Sequence, residues 1–396
     1  RAGLAVSQTL GNVAINQDGG KIAVIAGDTT LTKLILGTLS FGTATNSGTL
    51  LISAPANTQI TTTTARPAEL VYGNGRAVFS DGTNFDWLTT ASTGAPFTLT
   101  GLVSASAISV TGGSTASTTT ITLPAPIAVA TSSTTAASAI VSTANTTGLV
   151  VGMGVSGAGI PAGASIASIN PGVSFTLTVN ATATGTGLTL NAGGTSGFVS
   201  GMYVTGTGIP ANATIASVTN GTTMVISAAA TATGTGVTIG AVGYLPLPNN
   251  GSSVGTVNYS LSASQTQNTA ASAVGTLKIS NPAASQTLNL ATFDLAFGST
   301  TGGLLVTGTN AFTISGTTGG LKVGASGGDV IIHNYNTGGL TISAAIKDFS
   351  TSVATRLVTA GTGVTTLTGT TSYTGDTMIM GGVLSFSNAG ANGDRA

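Results

Sequence analysis

Between Asp86 and Lys278 the chain runs for 191 residues without one charged side chain, and no other feature narrows its fold so far. A surface helix keeps its outer face in water with Glu, Lys, Arg and Gln, and these residues are scarce here. Charged residues make up 5% of the whole chain, against about 25% in ordinary globular domains. Hydroxyls and amides must therefore supply the polar surface. The 58 glycines, the many threonines and serines, and apolar positions filled mainly by Val, Ile and Leu all favour short strands joined by tight corners. A chain of formal net charge +0 has little colloidal repulsion, which suits life inside an assembly.

The absence of cysteine rules out a disulfide framework and a thiolate metal site. Ser, Thr and Gly interrupt every apolar stretch, so no run of about 18 apolar residues is present to cross a bilayer as a helix. The first residue is Arg1 rather than Met, which points to a processed product, with a signal peptide removed and an extracellular, cell-surface location.

Three stretches follow from the strand rhythm. Residues 1–125 carry Val13-Ala14-Ile15, Ile22-Ala23-Val24, Leu34-Ile35-Leu36, Leu39-Ser40-Phe41 and Leu50-Leu51-Ile52, with Gly19-Gly20, Gly27-Asp28 and Asn46-Ser47-Gly48 as corners between them. This predicts an N-terminal solenoid or sandwich. The Ser/Thr/Ala-rich segment from Thr111 to Ala139, around Leu123-Pro124-Ala125-Pro126, reads as a linker or a transition between modules.

Residues 126–245 hold a tandem repeat. Positions 148–189 align without a gap onto 197–238, with 23 of 42 identical. The shared words include Gly157-Ala158-Gly159-Ile160-Pro161 with Gly206-Thr207-Gly208-Ile209-Pro210, and Ala181 to Gly187 with Ala230 to Gly236. Each unit reads as four short strands with glycine corners, stacked side by side. Gly157-Ala158-Gly159 lacks the strand-then-helix context and downstream acid of a dinucleotide site, so these glycines are expected to be turns.

After Leu245-Pro246-Leu247-Pro248-Asn249-Asn250, read as a second linker, residues 246–396 resume with Leu305, Ile314, Val323, Ile332 and Ile342 evenly spaced. One strand plus one corner per interval, three sides to a coil, gives roughly 27 to 30 residues per turn. The expected fold class is all-β, a right-handed β-helix or β-solenoid with a tandem-repeat β module in the middle.

The segment Leu367-Thr368-Gly369, Tyr373-Thr374-Gly375 and Gly381-Gly382-Val383-Leu384 resembles the autotransporter-associated β-strand repeat of secreted bacterial surface passengers. That resemblance covers about 30 residues. It implies a β-helical stalk with a structural or adhesive role, and it brings no catalytic residue.

The expectation for chemistry is negative: no catalytic, cofactor-binding or metal-ligating residue, no cofactor, and no enzyme activity. Hydrolysis on such a scaffold needs clustered carboxylates, and ten acids are spread over the whole chain. The densest charged group, Arg76 with Asp81 and Asp86, reads as a turn at Asp81-Gly82, with Phe79, Phe85 and Trp87 packing inward. His333 is the only histidine; it is expected on an outward strand face, with Asn334 and Asn336 forming ladders beside it. Ten bases balance ten acids without a basic stripe, which excludes nucleic acid as a partner. Two functional expectations remain. The first is a self-assembling surface protein, a filament or surface-layer subunit that polymerises with itself through strand contacts. The alternative is a monomeric stalk binding surface glycans through Tyr203, Tyr244 or Tyr259, although packing is the more ordinary use of those rings.

Overall fold

The computed structural model describes residues 6–16, 19–25, 31–42, 48–55, 58–65, 71–90, 97–102, 108–161, 163–281, 283–298 and 301–387. Among them strands dominate, arranged as a β-solenoid, two small antiparallel units and a second β-solenoid.

The first solenoid stacks parallel strands on three faces. Val6–Thr9, Val13–Ile15 and Gly19–Ala23 form coil 1; Thr32–Ile35, Leu39–Phe41 and Thr49–Ser53 form coil 2; Thr58–Thr62 and Ala77–Ser80 belong to coil 3. Val6 lies over Thr32 and Thr32 over Thr58, so successive steps on this face are equal in length. Alternate side chains point inward, and Leu36, Leu39, Leu50, Ile52 and Ile60 make the core. Chain direction then reverses. Phe85–Thr90 pairs antiparallel with Ala77–Ser80, and Phe97–Gly101 pairs antiparallel with both Phe85–Thr90 and Thr58–Thr62. These two strands cover the edge of coil 3, which would otherwise be open to pairing. All five strand words of the sequence fall on strands, with only Val24 and Leu36 lying one residue past a strand end. Gly19-Gly20, however, opens a strand instead of turning a corner. A Cβ at Gly19 would stand 2.7 Å from the carbonyl oxygen of Met380, so the residue is needed for close approach of a neighbouring strand. Gly27-Asp28 and Asn46-Ser47 lie outside the described residues.

The expected linker at 111–139 is the largest departure. Ile108–Thr115 and Thr120–Thr122 pair with Gly234–Val242 and Thr223–Ile226 of the second repeat. Ile127–Thr134 and Ile140–Ser142 pair with Gly185–Ala192 and Ser174–Leu177 of the first. The partners are nested. The first repeat unit, 127–192, is inserted between the two halves of the second, 108–122 and 197–242. A boundary at 125 therefore gives the first unit two strands that belong to the middle one. Ser/Thr-rich composition suggests a linker, but Ile108, Val110 and Ile121, like Val129 and Val141, face inward at alternating positions and are buried. Only Pro124-Ala125-Pro126 connects the two hairpins.

Each unit closes on itself rather than stacking in an array. In the first, backbone bonds from Ile166 N–H to Met153 O and from Val155 N–H to Ala164 O join the outer strands of the six-stranded sheet. Ile215 N–H to Met202 O and Val204 N–H to Ala213 O do the same in the second. Closure leaves no free edge. Phe175 fills one core and Met224 the other, at corresponding positions. Gly157 and Gly206 have positive φ, as the predicted corners require.

The middle turns of the second solenoid fulfil the coil prediction, while the turns at its two ends, such as Asn258 over Thr276 and Leu357 over Thr377, are shorter. Thr276 lies over Gly303, Gly303 over Ile331 and Ile331 over Val358, and every one of these steps falls within the expected coil length. Leu305, Ile314, Val323, Ile332 and Ile342 fall on five successive strands, though Leu304 rather than Leu305 lies in register with inward-facing Ile332. The expected linker at 245–250 begins with a strand, Leu245–Pro246, paired on Tyr259 and Ser260. Tyr203, from the second barrel, packs on this end of the core, and its hydroxyl accepts the Asn258 N–H at 2.8 Å.

The two solenoids lie side by side with their coils running in opposite directions. Gly19 of coil 1 abuts Met380 of the last coil, Arg76 of coil 3 meets Asp329, and Asp86 beyond it reaches back to Lys278. Coil 1 of the first solenoid and the last coil of the second, Thr377–Ile379 with Val383–Phe386, consequently lie at the same end of the molecule. The barrels sit at the other.

Candidate functional site

The seam between the solenoids gathers the ionisable groups that the sequence scatters. One wall is the outward column Lys278, Leu305, His333 and Ala360, one residue from each of four stacked strands. The other is the outward column Leu51, Val78 and Trp87. Trp87, Val78, Val71, Leu102, Tyr244, Leu305 and Tyr335 form one buried cluster. Gly303 carries no side chain because a Cβ there would stand 2.5 Å from the Trp87 ring.

Two ion pairs cross this apolar seam, Arg76 with Asp329 and Asp86 with Lys278, and each is backed by further hydrogen bonds. Asp329, fully buried, accepts Arg356 Nε at 2.8 Å, and its other oxygen lies 3.4 Å from Arg76 Nη2. Arg76 also donates to the Gly42 carbonyl at 2.5 Å. Asp86 meets Lys278 Nζ at 3.0 Å, the Trp87 N–H at 2.8 Å and the Tyr244 hydroxyl. Burial pushes the Asp86 carboxyl above the usual carboxylate range, although Lys278 pulls the other way. Burial and the adjacent Asp86 charge also raise the Tyr244 phenol.

His333 lies on an outward strand face, as expected, but the first solenoid covers that face. Its Nε2 contacts the Gly75 carbonyl at 3.1 Å, which fits the neutral tautomer protonated at Nε2. Nδ1 is buried with no hydrogen-bond partner, Trp87 stands edge-on at 5.6 Å, and Tyr335 lies beyond, stacked on Phe85 at 3.9 Å. Burial depresses the imidazole to about 4. Its folded value is thus below the unfolded one near 6.5, so the folded state resists protonation. The stability involved is complete above the unfolded value and is lost as pH falls toward the folded one, by about 3 kcal/mol. Urea unfolding at neutral pH and again near the folded value should show that loss in the native chain and a smaller one in His333→Gln; equal losses would refute the assignment.

The remaining candidates resolve individually. Asp81 makes the predicted turn, accepting the N–H groups of Thr83 at 2.8 Å and Asn84 at 2.7 Å, and stays apart from the seam. Asn334 and Asn336 are not ladder residues on the outside. Asn334 donates to the Val364 carbonyl and Asn336 to the carbonyls of Asn310 and Gly339, tying solenoid corners. Tyr203, Tyr244 and Tyr259 are all buried, so none presents a ring to a glycan. Among the described residues no three His, Asp or Glu side chains converge to hold a metal ion.

Sequence reasoning misses the seam as a whole. Its visible signal is two uninterrupted apolar words, Leu304-Leu305-Val306 and Val330-Ile331-Ile332, which a strand needs only when both of its faces are covered. Chemically, the seam's charged groups are spent on one another. Comparison with known proteins gives no match to any family model, curated protein or solved structure.

Proposed function

We propose that the chain is a self-assembling extracellular structural protein of a bacterial surface, with copies meeting through strand edges. The supporting observation is the end of the molecule where both solenoids have one-sided ladders. Among the described residues, Val6–Thr9, Val13–Ile15 and Gly19–Ala23 there pair only with coil 2, and Thr377–Ile379 and Val383–Phe386 only with the coil beneath them. Ile379 and Val383 are 58% and 56% exposed on those rungs. Unpaired N–H and C=O rows beside apolar side chains are templates for a further strand. The near absence of charge works in the same direction, and the resemblance of residues 367–384 to a surface-passenger repeat supports the location.

Electron microscopy with mass photometry across a dilution series tests this reading. Assemblies should persist on dilution. Val383→Lys with Ile379→Lys should shift the population at least tenfold toward single chains, because a charge on each rung opposes strand addition. A native chain that stays monomeric at every concentration would dismiss assembly and leave a solitary stalk.

A further inference from the structure

Asp86 and Lys278 are the two charged residues that bracket the long uncharged stretch, and the fold brings them together. Lys278 projects from Thr276–Asn281 of the second solenoid and Asp86 from Phe85–Thr90 at the cap of the first. Their side chains are 7% and 15% exposed, with Nζ 3.0 Å from Oδ2. The second carboxyl oxygen, Oδ1, faces a different environment. It accepts the Trp87 N–H at 2.8 Å and the Tyr244 O–H, two donors on one atom. The Tyr244 ring flanks the amine, with Nζ 5.7 Å from its centroid.

We propose that this pair condenses to an isopeptide bond, a covalent staple between the two solenoids. The reaction begins with a proton passing from Nζ to Oδ2, which leaves a neutral amine facing a neutral carboxyl. The Nζ lone pair attacks Cγ. Negative charge then builds on Oδ1, where the Trp87 and Tyr244 donors already point, the arrangement that stabilises acyl-transfer intermediates. Oδ2 takes a second proton from Nζ, the Cγ–Oδ2 bond breaks, and water departs as the carbonyl re-forms at Oδ1. Ammonium plus carboxylate becomes one amide plus one water, with no oxidant, reductant or co-reactant. The barrier of bringing the groups together is already met by folding; effective molarities of such oriented pairs reach roughly 10⁵–10⁸ M. The staple would close a loop around both barrels in a chain that has no cysteine to make a disulfide.

Intact-mass spectrometry of the folded full chain decides the matter. The expected mass is one water below that of the sequence, and proteolysis should release one branched peptide containing both Asp86 and Lys278. Lys278→Met should keep its full sequence mass. Asp86→Asn should lose ammonia instead of water and finish at the same mass as the stapled native chain. In Tyr244→Phe the stapled fraction should rise roughly a hundredfold more slowly after cell-free synthesis, since one of the two Oδ1 donors is gone. Full sequence mass in both the native chain and Asp86→Asn, with a normal cooperative melt, would overturn the proposal and leave a simple ion pair.

Discussion

Trp87→Ala should cost the molecule about 3–5 kcal/mol and split its unfolding into two steps. Trp87 is the only tryptophan and is fully buried. It belongs to neither solenoid core but to the cluster between them, against Gly303 and edge-on to His333. Truncation leaves a cavity that Gly303 cannot fill, because a glycine has no side chain to move into it. The first solenoid then loses its largest apolar anchor on the second. Urea unfolding followed by far-ultraviolet circular dichroism should show a lower midpoint and a separate early transition. Ile25→Ala, at a position 85% exposed, should change stability by no more than about 0.5 kcal/mol. A Trp87→Ala curve with a single transition and a loss below about 1 kcal/mol would mean that the seam contributes little.

Asp329→Ala should be comparably severe, about 3–5 kcal/mol, for an electrostatic reason. Asp329 is the shared anion between Arg76 and Arg356, and both guanidinium groups are largely buried. Burial already disfavours the Arg76 charge, and Asp329 favours it against the repulsion of Arg356. Removing the carboxylate leaves two like charges facing each other out of water. The triple variant Asp329→Leu, Arg76→Met, Arg356→Met should recover most of the loss, since a buried charge cluster replaced by apolar side chains of similar volume is often neutral. Chemical denaturation of both variants at neutral pH measures this. If the triple variant were as unstable as the single one, the loss would come from packing rather than from uncompensated charge.

These two positions mark where sequence reasoning succeeds and where it stops. Trp87 reads as an inward residue of a turn-flanked strand, and it is buried. Alternation along one strand does not tell which interior it enters. Arg76, Asp81 and Asp86 look like one local group around an Asp-Gly corner. Asp81 does serve that corner, while Arg76 and Asp86 lie across from Asp329 and Lys278, both of them in the other solenoid. Sequence proximity carries no information about that pairing. His333 does occupy an outward face, but an outward face is wet only if nothing docks on it. Tyr203 and Tyr259 likewise sit on strands where periodicity permits exposure, and contacts from the backbone N–H groups of Asn258 and Val254 hold them in.

Local physical chemistry in the chain determined that it would be built of short strands. Low charge left helices without a solvent face, and regular apolar intervals with glycine corners set a coil of three sides. The same local pattern marked the two barrel units through their shared words. Tertiary structure alone decided which strands pair. The hairpin at 108–122 bonds to the repeat half that lies beyond the whole of the first unit, and the one at 127–142 to its immediate successor, because both expose the same alternation and only the closed barrels distinguish them. It also decided that the two solenoids lie in opposite directions with their charged residues inside the seam. An apolar column on the outer face of a strand demands cover, and the identity of the cover is fixed by shape and charge matching between segments that never meet along the chain.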